Sequence, residues 1–315
     1  VIYQTVHSFR CKFVGIPGDE SQTRNVSLFQ PLGISGNILQ HESDKYNNAV
    51  HQTTPHKEKI MSENQQDASN VTLLFYREIT VLNPQRHGGL KIGTPPDQSF
   101  AAHTNSVPLV GVEFVECCRE YPVVFAQGEN GTFNPVAVLG LENSENLFLD
   151  EGLAWKANYV PAFVRRYPFV LGDNPQNPTQ PWVCVDESCP WLGEDQGEPL
   201  FVGDKPSVFL NQTLSFLTDY NLQSQRTVDF CSKLVDLGLL KEQQAQATAD
   251  GKSYTLSGLW AVDEAALLQL DADKVQELFK SGELAWIYFH LASLANFRRL
   301  AERKAAKVPA AVALH

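Results

Sequence analysis

The apolar residues of this chain follow two regimes that change near residue 205. Residues 71–82 carry a mixed apolar run (Val71, Leu73, Leu74, Phe75, Ile79, Val81) that predicts one or two strands, ended by Asn83-Pro84. A polar turn at Arg86-His87-Gly88-Gly89 precedes Leu90-Lys91-Ile92, and Gly93-Thr94-Pro95-Pro96 breaks that element. Residues 107–114 predict a buried strand, or a strand running into a short helix. Three further short strands are expected over 122–126, 135–141 and 146–150. Turn residues such as Gly128-Glu129-Asn130-Gly131 and Glu142-Asn143-Ser144 separate them. Such tight spacing favours antiparallel neighbours, since a parallel crossover needs about a dozen residues or more. A short helix over 161–167 with proline in its first turn, a proline-rich loop over 174–181, a strand over 182–185 and a second loop over 190–204 complete this half.

Beyond that point the period lengthens. Leu210, Leu214, Leu217, Phe230 and Leu234, with Val208 and Tyr220 nearby, predict a helix or helix pair over 206–237, with Gly238 as its cap. Residues 254–262 return to strand-like composition. Asp271 is placed to cap a helix that runs through Lys280 and stops at Gly282. Leu284, Ile287, Leu291 and Leu294 give the apolar stripe of a last helix reaching Arg303, followed by a small, simple tail from Lys304 that is expected to fray. Strands first and helices later predict an α+β fold, a mainly antiparallel sheet from the N-terminal half packed with helices from the C-terminal third.

Met61 is the only methionine and divides the chain into unlike parts. Residues 1–60 show no useful apolar period and are nearly neutral, whereas the remainder holds 19 Lys/Arg against 31 Asp/Glu. Lys57-Glu58-Lys59 precedes Met61, and AAG GAG AAA, one coding of that tripeptide, contains the AGGAG of a bacterial ribosome-binding site. Residues 1–60 are therefore expected to be a translated leader or a disordered extension. Residues 61–305 are expected to be one domain, and 306–315 a flexible tail.

Charge narrows the functions. Across all 315 residues, 25 Lys+Arg stand against 36 Asp+Glu, a net charge of −11 that argues against binding nucleic acid or an anionic membrane. Nothing approaches the roughly 20 uninterrupted apolar residues of a membrane-spanning helix, and neither Val1 nor Met61 opens an export signal, so a cytoplasmic location is the default expectation. No phosphate-binding loop, dinucleotide fingerprint or serine-hydrolase elbow occurs, and no catalytic residue is assigned. Cys184 and Cys189 have a ligand-like spacing, but no second Cys/His pair follows at zinc-finger spacing, so the cysteines are expected to be core or incidental thiols. No metal site is expected. His87 and His103 are read as turn or surface histidines, with convergence on Glu113 or Asp150 as the alternative, and His290 as a satisfied, partly buried histidine.

The densest local feature is 155–169, where Arg165 and Arg166 stand among aromatic residues that include Tyr167. Two arginines in an acidic chain suit a carboxylate or phosphate clamp. The structural alternative pairs them with Asp150, Glu151 or Asp173.

An ordered set of short segments carries a resemblance. Asn105-Ser106-Val107-Pro108-Leu109, Glu113-Phe114, Glu120-Tyr121-Pro122-Val123-Val124-Phe125, Val136-Ala137-Val138-Leu139-Gly140-Leu141 and Glu145-Asn146-Leu147-Phe148 lead into Tyr159-Val160-Pro161-Ala162-Phe163-Val164-Arg165-Arg166-Tyr167-Pro168-Phe169. Gln225-Arg226-Thr227, Leu256-Ser257-Gly258 and Ala261-Val262-Asp263 follow. From about residue 71 to 303 this order resembles the bacterial SapC family. The resemblance implies a part in surface-layer protein transport. Relatives beside outer-membrane receptor and flavin-dependent halogenase genes imply nutrient uptake or cytosolic modification instead.

The expected function is a soluble accessory protein of a cell-envelope export or uptake system, binding an envelope or transport protein. Arg165, Arg166, Tyr167, His87 and Asn105 are its candidate binding residues. The alternative is a cytosolic enzyme acting on a small molecule or an amino-acid side chain around His87, His103 and Asn105. It would show a deep pocket lined by those groups, where an accessory would show an exposed apolar patch.

Overall fold

The computed structural model describes residues 74–307 apart from 129, 130, 175, 178 and 250. The expected leader over 1–60, residues 71–73 of the first apolar run and residues 308–315 of the tail lie outside the described residues. The chain forms β1 (Ile79–Val81), α1 (Pro84–His87), β2 (Lys91–Ile92) and β3 (Ser106–Pro108). A 3-10 turn at Gly111–Glu113 leads into α2 (Phe114–Cys117), then β4 (Val123–Gln127), β5 (Phe133–Val138), α3 (Ala162–Arg165), β6 (Phe169–Gly172) and β7 (Trp182–Asp186). Four two-residue strands follow: β8 (Leu192–Gly193), β9 (Glu198–Pro199), β10 (Phe201–Val202) and β11 (Lys205–Pro206). The long helix α4 (Val208–Asp236) precedes the hairpin β12 (Leu240–Ala249) and β13 (Lys252–Val262). Helices α5 (Glu264–Leu267), α6 (Ala272–Ser281), α7 (Glu283–Ser293) and α8 (Asn296–Lys307) close the chain.

These elements make the expected α+β fold, and every strand pair is antiparallel. The largest sheet has the order β12-β13-β4-β5-β3, and a second has the order β1-β7-β6. The first builds a core with Phe125, Phe230, Leu234, Trp286 and Ile287. The second builds another core with Tyr167, Phe169, Leu200, Leu210 and Leu217. Helix α4 serves both. Ser207 caps its start by accepting from the Leu210 N–H, and Gly238, at φ +64°, turns the chain out of its end.

Several expectations are corrected. Residues 146–150 are not a strand: Leu147, Phe148 and Leu149 are buried in succession, with only a Leu149–Trp155 bridge. The Phe148 N–H is taken by the Asn146 side chain at 2.9 Å, which turns the chain out of a ladder. The expected loop over 190–204 folds back as β8 and β9 on either side of β2 and leads into the β10–β11 hairpin. The single last helix is broken between Ser293 and Asn296, because the Asn296 side chain donates to the Cys118 and Tyr121 carbonyls. The tail does not fray at Lys304: α8 runs to Lys307, with Lys304 bonded to Glu142 and Glu145 and Lys307 to the Asn146 carbonyl. Strand β12 was not foreseen, because Lys241-Glu242-Gln243-Gln244 reads as polar coil; it is an edge strand with its first residues largely exposed.

The centre of the large sheet is joined by a side chain. β13 and β4 pair directly at Trp260 and Phe125, a register that sets Val262 opposite Val123. At that next rung the His290 imidazole from α7 stands between the strands. Its Nε2 accepts from the Val262 N–H (3.0 Å) and its Nδ1 donates to the Val123 carbonyl (2.8 Å). Ser293, one turn on, accepts from the Val123 N–H at 2.9 Å. Only the neutral ring with its proton on Nδ1 makes both bonds. The ring is fully enclosed, and burial pushes its pKa down from 6.5 to about 4.

Two predictions follow from this packing. In the unfolded chain His290 takes up a proton below pH 6.5, and in the folded chain only near 4, so its contribution is complete above pH 6.5 and declines as pH falls towards 4. The loss amounts to on the order of 3 kcal/mol. Thermal melts across that window should show it, and His290→Gln should flatten the slope; an unchanged slope would assign the acid loss to other groups. Gly111, in turn, has no room for a side chain, because a Cβ there would lie 2.3 Å from the Trp286 ring. Gly111→Ala should cost about 1–3 kcal/mol in denaturant melts, as overpacking does.

Candidate functional site

The site begins at a buried carboxylate. Glu113 interrupts the apolar residues 107–114 and folds back on its own turn, where Oε2 accepts from the Val110 N–H at 2.9 Å. Its Oε1 accepts from the Ala162 N–H (2.7 Å) and the Tyr159 hydroxyl (2.8 Å). Burial raises the Glu113 pKa and outweighs those three hydrogen bonds and the attraction of Arg165, which lower it. Glu113 thereby anchors the first residue of α3, a one-turn helix whose last position and following residue are the arginine pair.

The two arginines face different surroundings. Arg165 is exposed yet held: Nε donates to the Val160 carbonyl (2.9 Å), Nη2 to the Tyr159 hydroxyl (3.2 Å). Its guanidinium carbon lies 5.5 Å from the Tyr159 ring and 5.2 Å from the Phe216 ring. Arg166 turns inward and is half-buried. Its guanidinium carbon lies 4.0 Å from the Phe163 ring centre, 5.3 Å from Tyr220 and 5.8 Å from Tyr76. Burial pushes the Tyr76 and Tyr220 hydroxyls up to about 12, against the pull of the Arg166 charge. Arg166 Nε is buried and, among the described residues, has no hydrogen-bond partner.

The expected ion pairs of this segment do not form. Asp150 pairs with Lys156 at 2.8 Å, and among the described residues neither arginine has a carboxylate within ion-pair distance. Glu113 reaches Arg165 only through the Tyr159 hydroxyl.

Tyr167 belongs to the second core. Its ring stacks on Phe100 at 4.4 Å, and its hydroxyl donates to Asp186 at 3.3 Å. Asp186 also accepts from the backbone N–H groups of Arg77, Glu78 and Ser188, so it fixes the approach of β1 to β7. The neighbouring Glu187 takes Arg86 and His87. His87 is fully buried rather than at the surface: Nε2 donates to Glu187 at 2.9 Å, and Nδ1 accepts from the Asn83 N–H at 3.1 Å. Partial burial raises the Glu187 carboxyl, but the bonds from Arg86 and His87 outweigh it and hold the pKa below the usual range.

Of the five candidates, Arg165, Arg166 and Tyr167 stand together, while His87 lies on the far side of the Asp186–Glu187 corner. Asn105 is at the edge of the large sheet, its carbonyl taking the Leu139 and Gly140 N–H groups. His103 is exposed. The alternative convergence of His87 and His103 on Glu113 or Asp150 is overturned for His87 by its Glu187 bond. A cavity of about 340 Å³ lies elsewhere, between α4 and α6, beside Asp229, Lys233, Lys274 and Glu277. Among the described residues no three His, Cys, Asp or Glu side chains are grouped to hold a metal ion.

Sequence reading named Glu113 only as an alternative point of convergence for His87 and His103, named Tyr220 only as a helix residue, and missed Gln223. Glu113 carried a signal, a carboxylate inside an apolar run. Tyr220 and Gln223 carried a weaker one, a polar group on the inner stripe of α4. Gln223 Oε1 is buried without a hydrogen-bond partner among the described residues.

Neither the curated proteins nor the solved structures offer a match to this chain. Residues 82–300 match SapC, a span that takes in every element from α1 to α7 and the first five residues of α8. The segments that carried the resemblance, the Glu113 anchor and the arginine pair all fall inside it; the chain belongs to the SapC family.

Proposed function

We propose that this chain is an accessory protein of cell-envelope protein export or uptake and that it works by binding a protein partner at the surface around Arg165. One observation carries the reading. Arg165 is an exposed cation already fixed by Val160 and Tyr159 and flanked by two aromatic rings. A long side chain fixed before contact loses little entropy on binding, and arginine and tyrosine dominate the energetically important positions of protein interfaces. The family membership supports the envelope setting. The nitrogens of His87 and His290 are occupied by the fold, and burial raises the thiols of Cys117 and Cys231, which makes these groups structural rather than reactive. Among the described residues no helix is long and apolar enough to cross a membrane. A cytoplasmic site of action is part of the proposal.

Arg165→Ala tests it. Arg166 is left intact, since its rings make it part of the packing. Affinity capture from the producing cells should retain an envelope or transport protein with the wild-type chain and lose at least about tenfold of it with the variant, the effect of removing one interface anchor. The melting temperature should stay nearly constant, as for most surface substitutions. Equal capture by both chains would sink the reading.

A further inference from the structure

We infer that Tyr159 is a positioning residue for Arg165 and that the buried Glu113 carboxylate sets the direction of its hydroxyl. The inference rests on the binding role proposed above and says how that surface is held ready. Arg165 is held along one edge: Nε donates to the Val160 carbonyl at 2.9 Å and Nη2 to the Tyr159 hydroxyl at 3.2 Å. A carbonyl can only accept, but a hydroxyl can donate or accept. Tyr159 receives Arg165 only while its own proton points elsewhere. Glu113 takes that proton, with Oε1 2.8 Å from the Tyr159 oxygen. Burial and the Glu113 charge both push the Tyr159 pKa up, so the phenol keeps the proton it donates.

The surroundings of Glu113 make that direction depend on its charge. Its three partners are all donors: the Val110 N–H at 2.9 Å from Oε2, and the Ala162 N–H at 2.7 Å and the Tyr159 hydroxyl at Oε1. An ionised carboxylate accepts from all three, whereas a protonated one carries an O–H that must face a donor. The two backbone N–H groups are fixed by the 3-10 turn and by α3, but the hydroxyl rotates. A proton on Glu113 therefore turns Tyr159 round, so that the phenol accepts from Glu113 and aims its own proton at Arg165. Donor then meets donor, and the guanidinium loses one of its two restraints. Burial raises the Glu113 pKa, which brings this change up from the ordinary carboxylate range. The other titratable groups near Glu113 are Arg165 from α3, Cys117 from α2 and Tyr220 from α4, while α7 presents the uncharged Trp286 ring to this turn. Burial raises the Cys117 thiol and the Tyr220 hydroxyl, and a guanidinium has no site for a further proton, so Glu113 alone of this group takes one up as the pH falls from neutral.

The test reads Arg165 itself, in the full chain carrying nitrogen-15 arginine, through the NMR rate of rotation of its guanidinium group. Arg165→Lys identifies the signal, and Arg86, held at two points by Glu187, is the internal reference. At neutral pH the wild-type Arg165 should rotate at least about threefold more slowly than in Tyr159→Phe, the effect of one hydrogen bond, with Arg86 unchanged. Lowering the pH should bring the wild-type rate up to that of Tyr159→Phe, whose own rate stays constant, while circular dichroism shows both chains folded. Tyr159→Phe keeps the ring beside Arg165 and both backbone bonds of Glu113, so a carboxylate with only a structural task would leave the Arg165 rate as it is. Equal rates in the two chains at neutral pH, or a wild-type rate that does not change with pH, would overturn the inference. Partner capture should fall about three- to tenfold with Tyr159→Phe. Capture lost with Arg165→Ala yet intact with Tyr159→Phe would overturn the positioning role and leave the binding role standing. Equal capture by wild type and Arg165→Ala would sink the binding role alone, because the rotation rate is read without a partner.

Discussion

An imidazole takes the place of a backbone hydrogen bond at the middle of this fold. Where Val262 and Val123 would meet across the sheet, His290 accepts from one strand and donates to the other. Every element on the C-terminal side answers to that insertion. Helix α7 must lie close enough to the sheet to deliver the ring, and Gly111 must lack a side chain so that Trp286, on the same helix, can pack against it. The β12–β13 hairpin is held at the sheet through its last residues. Neutrality of one buried ring is thus a condition of the whole arrangement, because a second ring proton would leave the Val262 N–H facing a donor.

The two cores are separate hydrophobic clusters bound along one helix. At about 1.5 Å per residue, the 29 residues of α4 span roughly 43 Å, enough to line both. Leu210 and Leu217 serve one core, Phe230 and Leu234 the other. Between them the inner face of α4 turns polar, with Tyr220, Gln223 and Thr227. Thr227 is satisfied: it donates to the Gln223 carbonyl and accepts from the Gly111 N–H. The Gln223 amide oxygen, one turn earlier, is buried without a hydrogen-bond partner among the described residues.

Patterning revealed the parts of the fold in which one face is apolar and the other is wet. Helices α4 and α6 were legible on that ground, and strands β4, β5 and β7 as short apolar runs bounded by turn residues. The strand expected at 146–150 failed because its backbone N–H groups go to the Asn146 side chain and the Leu139 carbonyl rather than to a ladder, and β12 was missed because an edge strand carries Lys, Glu and Gln. The arginine pair was legible from its aromatic neighbours, but its partners were not: the acids nearest in sequence are taken by lysine or lie elsewhere, and rings stand in for them. His87 read as a turn residue because Gly88-Gly89 follows it, whereas the acid that draws it inward, Glu187, is 100 residues away. Side-chain chemistry that joins distant segments leaves no local period to read.

The histidine rung also sets an order on assembly. The contact between His290 and Val123 spans 167 residues, and β4 has its β13 neighbour only after α4 has been made. During synthesis the middle of the large sheet is therefore an open edge until nearly the whole chain has emerged. Closing so long a loop is slow compared with forming a local hairpin such as β12–β13. Strands β4 and β5, rich in valine and phenylalanine, must stay apart from other chains during that interval, and the excess of negative charge in the same polypeptide supplies a repulsion that helps them do so.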